Sequence, residues 1–351
     1  MTNAIARVEI KDFLVFKGEF AEDFCPGVNV LIGGNGTGKT TLMKLMYAAC
    51  ARKESDSSAD SVKKFVLPYF GAGDNLGYCS IKCLFSNSAP IEWVYKDSPE
   101  QVPHVANQEK FSQPAMQMYD KVTVEIRNTL TPDGVYIPTE EMLSHSETLL
   151  ALNNERKIPF DQTLIDVLSK AELGETRKIT SNAEKVLDRI KNVIGGEVFY
   201  ENDKFYIVRP DIGKVPFSLE ASGFRKLGLL WKLLRNGLLE AGSILFWDEP
   251  EESMNPELIP ALADILLELQ RGGVQIFAAT HSFDVARWIE LSKQPENTLR
   301  YLNLRKEGGR IVADVADNYE TLPRSVIDEA DDVLLRRSVQ AAAASAGVKL
   351  Q

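Results

Sequence analysis

Residues 28–41, VNVLIGGNGTGKTT, leave few folds open. An apolar run of strand length, VNVLIG, enters a loop carrying Gly33, Gly34, Gly36 and Gly38, and the loop opens into the helical pattern KTTLMKLMYAACAR at 39–52. Glycines let a backbone turn its N–H groups inward, and the start of a helix adds further N–H groups, so such a unit forms an anion cradle. Two more apolar runs, SILFWDEP (243–250) and VQIFAATHS (274–282), lack the polar alternation of a half-exposed strand. Strands of this kind suit the middle of a parallel sheet covered by helices on both faces, which predicts an α/β core.

The loop spacing fits G-x-x-x-x-G-K-[ST] at Gly33, Gly38, Lys39 and Thr40. Its chemistry is specific: the backbone of Gly33, Asn35, Gly36, Gly38 and Thr41 surrounds phosphate oxygens, Lys39 reaches the β and γ phosphates, and Thr40 offers a hydroxyl to Mg²⁺. ATP and Mg²⁺ are therefore the expected ligands. An acid at the end of a neighbouring strand reaches the metal shell, which makes Asp248 the metal residue, and Glu249, one position further, orients or deprotonates the attacking water. The third strand ends in THS, where His281 is placed to hydrogen-bond the γ phosphate.

Helix signals surround these strands. Asn255 reads as an N-cap with Pro256 at the first helical position and Gly272 and Gly273 as the stop. Leu258, Ile259, Leu262, Ile265, Leu266 and Leu269 form the buried stripe between them. A second packed helix starts at Ser222 and Gly223 and ends at Gly237. Between the core pieces, YCSIKCLF, IEWVYK and KVTVEIR read as antiparallel strands ending in GVYIPTEEMLS (134–144), followed by a helical stretch and a hairpin turning at Asn202 and Asp203. A last hairpin, LRYLNLRKEGGRIVADVA, precedes a C-terminal helix.

The chain of 351 residues carries a net charge of −10, without the basic excess of an obligate nucleic-acid binder. A groove built from Arg177, Lys178, Lys185, Arg189 and Lys191 stays open beside the plainer reading of a solvated helix face. Cys79 and Cys83 share a strand face but lack two further ligands at metal spacing, since His104 and His145 are not so placed, and they read as core. Four cysteines, no signal-peptide pattern and no apolar run of membrane length give a cytoplasmic expectation.

These stretches, in this order, resemble the ABC-type ATPase heads of the RecF, structural-maintenance-of-chromosomes and overcoming-lysogenisation-defect group, in the compact form found in prokaryotic defence systems. The resemblance rests on VEIKDFLVFKGEF, PGVNVLIGGNGTGKTTLMKLM, YIPTEEMLS, SLEASGFRKLGLLWKLLRNG, SILFWDEPEESMNPE and GVQIFAATHS. It implies an α/β P-loop NTPase of ABC-ATPase type over 1–351. The nucleotide-binding core would be 1–52 and 222–320, with an antiparallel β region at 62–144, a helical insertion plus hairpin at 145–221, and a C-terminal helix at 321–351.

By the same resemblance, Ser222 and Gly223 fall at the signature that meets the γ phosphate of a nucleotide held by a second copy, so two copies would form a homodimer around two ATPs. Phe224 and Arg225 depart from the usual signature. Glu141, or Glu140 beside it, matches the acid near Mg²⁺ and the attacking water. Met254 to Pro256 stand where many relatives have Leu-His-Pro, so a histidine there is absent. The implied role is a regulatory or sensor ATPase of an anti-phage defence module with a separate effector protein. The alternative is a RecF-like repair ATPase that binds DNA when dimerised by ATP. A transport subunit with a membrane partner is not expected.

Overall fold

The computed structural model describes residues 3–51, 66–70, 79–95, 131–141, 143–145, 149, 152–153, 161–323 and 325–345. The chain starts with strands β1 (Ile5–Phe13), β2 (Phe16–Asp23) and β3 (Val28–Gly33), then helix α1 (Lys39–Ala51). Strands β4 (Cys79–Phe85), β5 (Ile91–Tyr95) and β6 (Gly134–Ile137) follow, then helices α2 (Gln162–Ala171) and α3 (Ser181–Ile194). Next come β7 (Glu197–Glu201), β8 (Lys204–Arg209), β9 (Gly213–Pro216), α4 (Ser222–Arg235), β10 (Ile244–Asp248) and α5 (Ile259–Arg271). The chain closes with β11 (Gln275–Thr280), α6 (Phe283–Ser292), β12 (Leu299–Glu307), β13 (Arg310–Ala316) and α7 (Val326–Ser345).

A six-stranded sheet in the order β13-β12-β3-β11-β10-β6 carries the core. Its five strands from β12 to β6 run parallel, and β13 closes one edge as the antiparallel arm of the last hairpin. The three apolar runs are its central strands, and every residue of β3, β10 and β11 is buried. Alternation explains why: Val30, Ile32, Leu245, Trp247, Ile276 and Ala278 enter the core on one face, whereas Leu31, Ile244, Phe246, Phe277 and Ala279 enter the core on the other. Phe246 and Phe277 stack with ring centroids 5.1 Å apart on the second face, where α1 packs with Leu42, Leu45 and Met46. Helices α3 to α6 cover the first face.

A four-stranded antiparallel sheet, β2-β1-β4-β5, takes in the N-terminal hairpin as well as the CSIKC strand. Cys79 and Cys83 point into its buried face, as the core reading requires, and Cys25 and Cys50 are buried too. Among the described residues no group of three or more histidine, cysteine or acidic side chains could hold a metal ion. The insertion is two helices plus the antiparallel sheet β7-β8-β9, whose first turn places Asn202 and Asp203 at φ 52° and 58°, the positive values a two-residue hairpin demands. Val186, Ile190, Val198, Ile207 and Phe217 seat this insertion in the same core as Leu227 and Trp231 of α4.

The sequence expectation is corrected at GVYI. It does not close the antiparallel run: β6 joins the six-stranded sheet, parallel to β10 with Trp247 beside Ile137. All four of its residues are buried, so no alternation distinguishes it from an antiparallel strand in sequence. Likewise β1 and β2, within 1–52, belong to the antiparallel sheet. Asn255 does cap with Pro256 following, but they open a single 3-10 turn, Pro256–Leu258, before α5 begins, which leaves Leu258 half-buried. KVTVEIR and His104 lie outside the described residues, as does the side chain of His145. No helix among the described residues is long and apolar enough to cross a membrane.

Candidate nucleotide site

Register brings the chemistry together. Ile32 pairs with Thr280, and Ala279 pairs with Asp248, so β3, β11 and β10 end side by side at the carboxyl edge of the sheet. In open α/β sheets that edge is where ligands bind. Gly33 leaves β3 at φ 145°, and a Cβ there would lie 2.3 Å from the carbonyl oxygen of Leu304. Gly38 sits at φ 92°, with the Phe16 ring 2.8 Å from where its Cβ would be. Both positions require glycine, and the second shows the N-terminal hairpin bracing the loop from outside.

Lys39 folds back over the loop. Its ammonium donates to the carbonyls of Gly33 (2.8 Å) and Gly34 (3.2 Å) and stands 3.5 Å from His281 Nδ1. Burial pulls its pKa down to about 8, against the opposing pull of Asp248, Glu249 and Glu251. The Thr40 hydroxyl donates to Asp248 Oδ2 at 2.8 Å, and the Tyr136 hydroxyl reaches the same oxygen at 3.1 Å. Burial raises the Asp248 pKa, and these two hydrogen bonds pull it back. Asn35, Gly36 and Thr41 lie on the same loop and first helical turn.

Glu249 begins where β10 stops. Its N–H still donates to Ala279 O at 2.9 Å, but its backbone turns to φ 47°, a left-handed conformation that costs a side-chain-bearing residue roughly 1–3 kcal/mol. The turn presents the carboxylate to His281, with Nε2 3.3 Å from Oε1. Burial and the neighbouring Lys39 lower the His281 pKa, which keeps the ring neutral and able to donate from one nitrogen while accepting at the other. Lys39, His281 and Glu249 thus form one chain of contacts across the mouth of the loop.

Three residues in this arrangement are not picked out by the sequence reasoning. Tyr136 arrives with the misassigned β6. Lys226, 2% exposed, reaches from α4 to donate to the backbone carbonyl of Glu249 at 3.1 Å, countering the cost of its strained turn. Glu251 takes the Thr280 hydroxyl (2.5 Å) and the His281 N–H (3.3 Å) on Oε1, which fixes the backbone that presents the imidazole. A second acid just past Pro250, and a lysine in an apolar helix face, are the available signals.

The signature residues stand apart from this cluster. Ser222 and Gly223 open α4 behind Ala221, which supplies no side-chain cap to the first-turn N–H groups, and Gly223 is buried. Gly223 packs on the 253–254 loop, where a Cβ would lie 3.3 Å from Met254 Cα. Neither residue hydrogen-bonds Lys39, Thr40 or Asp248 of its own chain. Glu141 lies in the loop after β6, with its carboxylate buried. It meets Arg225 Nε of α4 at 2.7 Å, an ion pair without an aligned hydrogen bond, and accepts from the N–H of Leu143 at 2.5 Å. Glu140 beside it is exposed. Of the basic residues proposed for a groove, Lys185, Arg189 and Lys191 are met within the chain by Glu268 (3.6 Å), Asp264 (2.9 Å) and Glu197 (2.6 Å).

Two family models match the chain. One, described as "AAA domain", covers residues 7–202, more than half of the sequence. The other, described as "AAA domain, putative AbiEii toxin, Type IV TA system", covers 128–285. The structural maintenance of chromosomes protein 3 homolog of Plasmodium falciparum is 20% identical over 204 residues, or 57% of this chain. The match spans only 14% of that relative's length. Among solved structures, the SMC head domain from Thermotoga maritima is 14% identical with a TM-score of 0.46, covering 89% of this chain and 98% of its own. The Smc head domain with an extended coiled coil, bound to the C-terminal domain of ScpA and derived from Pyrococcus furiosus, is 10% identical with a TM-score of 0.49, covering 96% and 100%.

Proposed function

The chain belongs to the AAA-domain family, and from that premise we propose that it is an ATP-hydrolysing dimeric switch, the regulatory ATPase of a prokaryotic anti-phage defence module that acts with a separate effector. One observation carries the catalytic part: Lys39 and Thr40 at the start of α1 and Asp248, Glu249 and His281 at two strand ends converge on the phosphate loop. Lys39 exchanges its carbonyl partners for phosphate oxygens. Glu249 accepts a proton from the attacking water, and His281 holds Glu249 in register with the γ phosphate.

Thr40 and Asp248 fit a Mg²⁺ ion, since both offer hard oxygen donors. Mg²⁺ takes few protein ligands and completes its shell with phosphate oxygens and water, in keeping with the absence of a three-ligand cluster among the described residues. When bound it would neutralise phosphate charge. The absence of a side-chain cap at the start of α4 supports the second half of the reading, in which Ser222 and Gly223 complete the site of another copy. The description of the 128–285 match supports the defence setting.

The test is mass by light scattering. The wild-type chain is expected to be heavier with ATP than with ADP and to turn ATP over; equal mass in both nucleotides would sink the switch. Metal-dependent DNA cleavage by the purified chain alone would remove the need for a separate effector.

Lys39 gives an independent signature. With its pKa at about 8 in the free chain, triphosphate beside it restores the ammonium, so binding takes up a proton once the pH exceeds that value. Affinity is then expected to fall as pH rises through 8. Calorimetry at about pH 9 in two buffers of different protonation enthalpy measures the uptake; a proton count of zero there would contradict it.

A further inference from the structure

Strand β12 outruns the strand it borders. Leu304 pairs with Gly33, where β3 ends and the phosphate loop begins, but β12 continues to Glu307. Over 305–307 it pairs with β13 alone, which leaves its other edge beside the loop. A tight turn closes this overhang: Glu307 pairs with Arg310 across Gly308 and Gly309, at φ 56° and 80°, the positive values a two-residue hairpin demands.

Alternation decides which side chain meets the loop. Leu302 and Leu304 enter the core that α1 covers, and Ile311, opposite Lys306 in the hairpin, enters it too. Lys306 therefore extends that stripe, about 7 Å beyond Leu304, whereas Arg305 and Glu307 turn to the other face. Its ammonium rests at the loop, 3.5 Å from where a Cβ of Gly36 would lie. Gly36 is at φ 70°, a left-handed conformation of the kind that turns backbone N–H groups toward an anion.

The acids of the hairpin are engaged elsewhere. Arg305 takes both Glu307 (2.6 Å) and Asp314 (2.9 Å), and among the described residues no carboxylate pairs with Lys306. Water ordinarily satisfies an exposed lysine, and it does so here in the free chain. Position sets this lysine apart. Strands β12 and β11 are the two neighbours of β3, so Lys306 flanks the phosphate loop from one side as His281 does from the other. An anion entering the loop would meet Lys39 from within and Lys306 at the rim.

We propose that Lys306 is a second cationic ligand for the phosphates of the nucleotide, an inference that rests on the nucleotide reading above. Its ammonium is a compact charge with three donors on a flexible stem, so it reaches a phosphate oxygen without moving the strand. At the rim it also draws the anion toward the loop before contact.

Equilibrium dialysis of ATP against the full-length chain and its variants tests the assignment. Lys306→Gln is expected to weaken binding about five- to tenfold, Lys306→Glu further still, and Lys306→Arg to stay within about twofold of wild type. Arg310→Gln removes the same charge from the same hairpin, but Arg310 lies against Gly18, so its effect should stay within about twofold. Wild-type affinity in Lys306→Gln would overturn the assignment, and so would an equal loss in Arg310→Gln, which would mean a diffuse field without a contact. Failure of the nucleotide reading has its own signature: the wild-type chain would bind no ATP, and the assignment would fall with it.

Discussion

Glu249→Gln is expected to cut ATP turnover by about 10²–10⁴-fold, the loss typical of removing a general base, while leaving ATP bound. The substitution keeps the size of the side chain and its contact with His281, but an amide cannot take a proton from water. Neither the Thr40–Asp248 pair nor the carbonyl contacts of Lys39 involve this carboxylate, so binding survives. In a head-to-tail dimer the γ phosphate is the differential contact that favours closure, and a variant that cannot remove it stays closed. The measurements are turnover by phosphate release and mass by light scattering in excess ATP. A monomeric Glu249→Gln chain in saturating ATP would count against the sandwich, and wild-type turnover would remove Glu249 from the chemistry.

Lys39→Ala should fail earlier, at binding. Lys39 is 5% exposed, and its ammonium stands against Gly33 and Gly34, where the β and γ phosphates of a bound triphosphate would meet it. Its loss takes away a charge-assisted contact in a dry site, worth about 1.5–3 kcal/mol per hydrogen bond, or roughly ten- to hundredfold in affinity for each. The His281 ring then loses the cation that lowers its pKa and is expected to titrate nearer its ordinary value. Two measurements check the variant: ATP affinity by equilibrium dialysis, and the His281 proton shift against pH by NMR. Retained affinity would show that the backbone cradle alone suffices.

These expectations could be framed before any coordinates because the strand ends are spelled out locally. SILFWDE and QIFAATHS each contain both the buried strand and the group it delivers, VNVLIG runs directly into the glycine loop that ends at Lys39, and a parallel register was the one assumption needed to bring Lys39, Asp248, Glu249 and His281 together. What escaped reading was delivered by pairing across long separations. Tyr136 meets Asp248 only because a four-residue strand joins the parallel sheet after a long excursion, and nothing in GVYI states its partner. Lys226 resembles a helix-surface lysine until the approach of β10 buries it. Glu141 was expected beside Mg²⁺ only through the family resemblance, with Glu140 as the alternative. Its engagement with Arg225 of α4 depends on how the loop after β6 meets the start of a helix some eighty positions on.

The left-handed turn at Glu249 has a practical consequence for anyone who engineers this protein. Glycine there would relieve the backbone at once, and asparagine would tolerate it better than glutamate does. Under the proposed role of Glu249, the hardiest versions of the turn are ones without the base. A library ranked by melting temperature alone would then enrich chains that lack the proposed hydrolysis, so turnover has to be scored alongside.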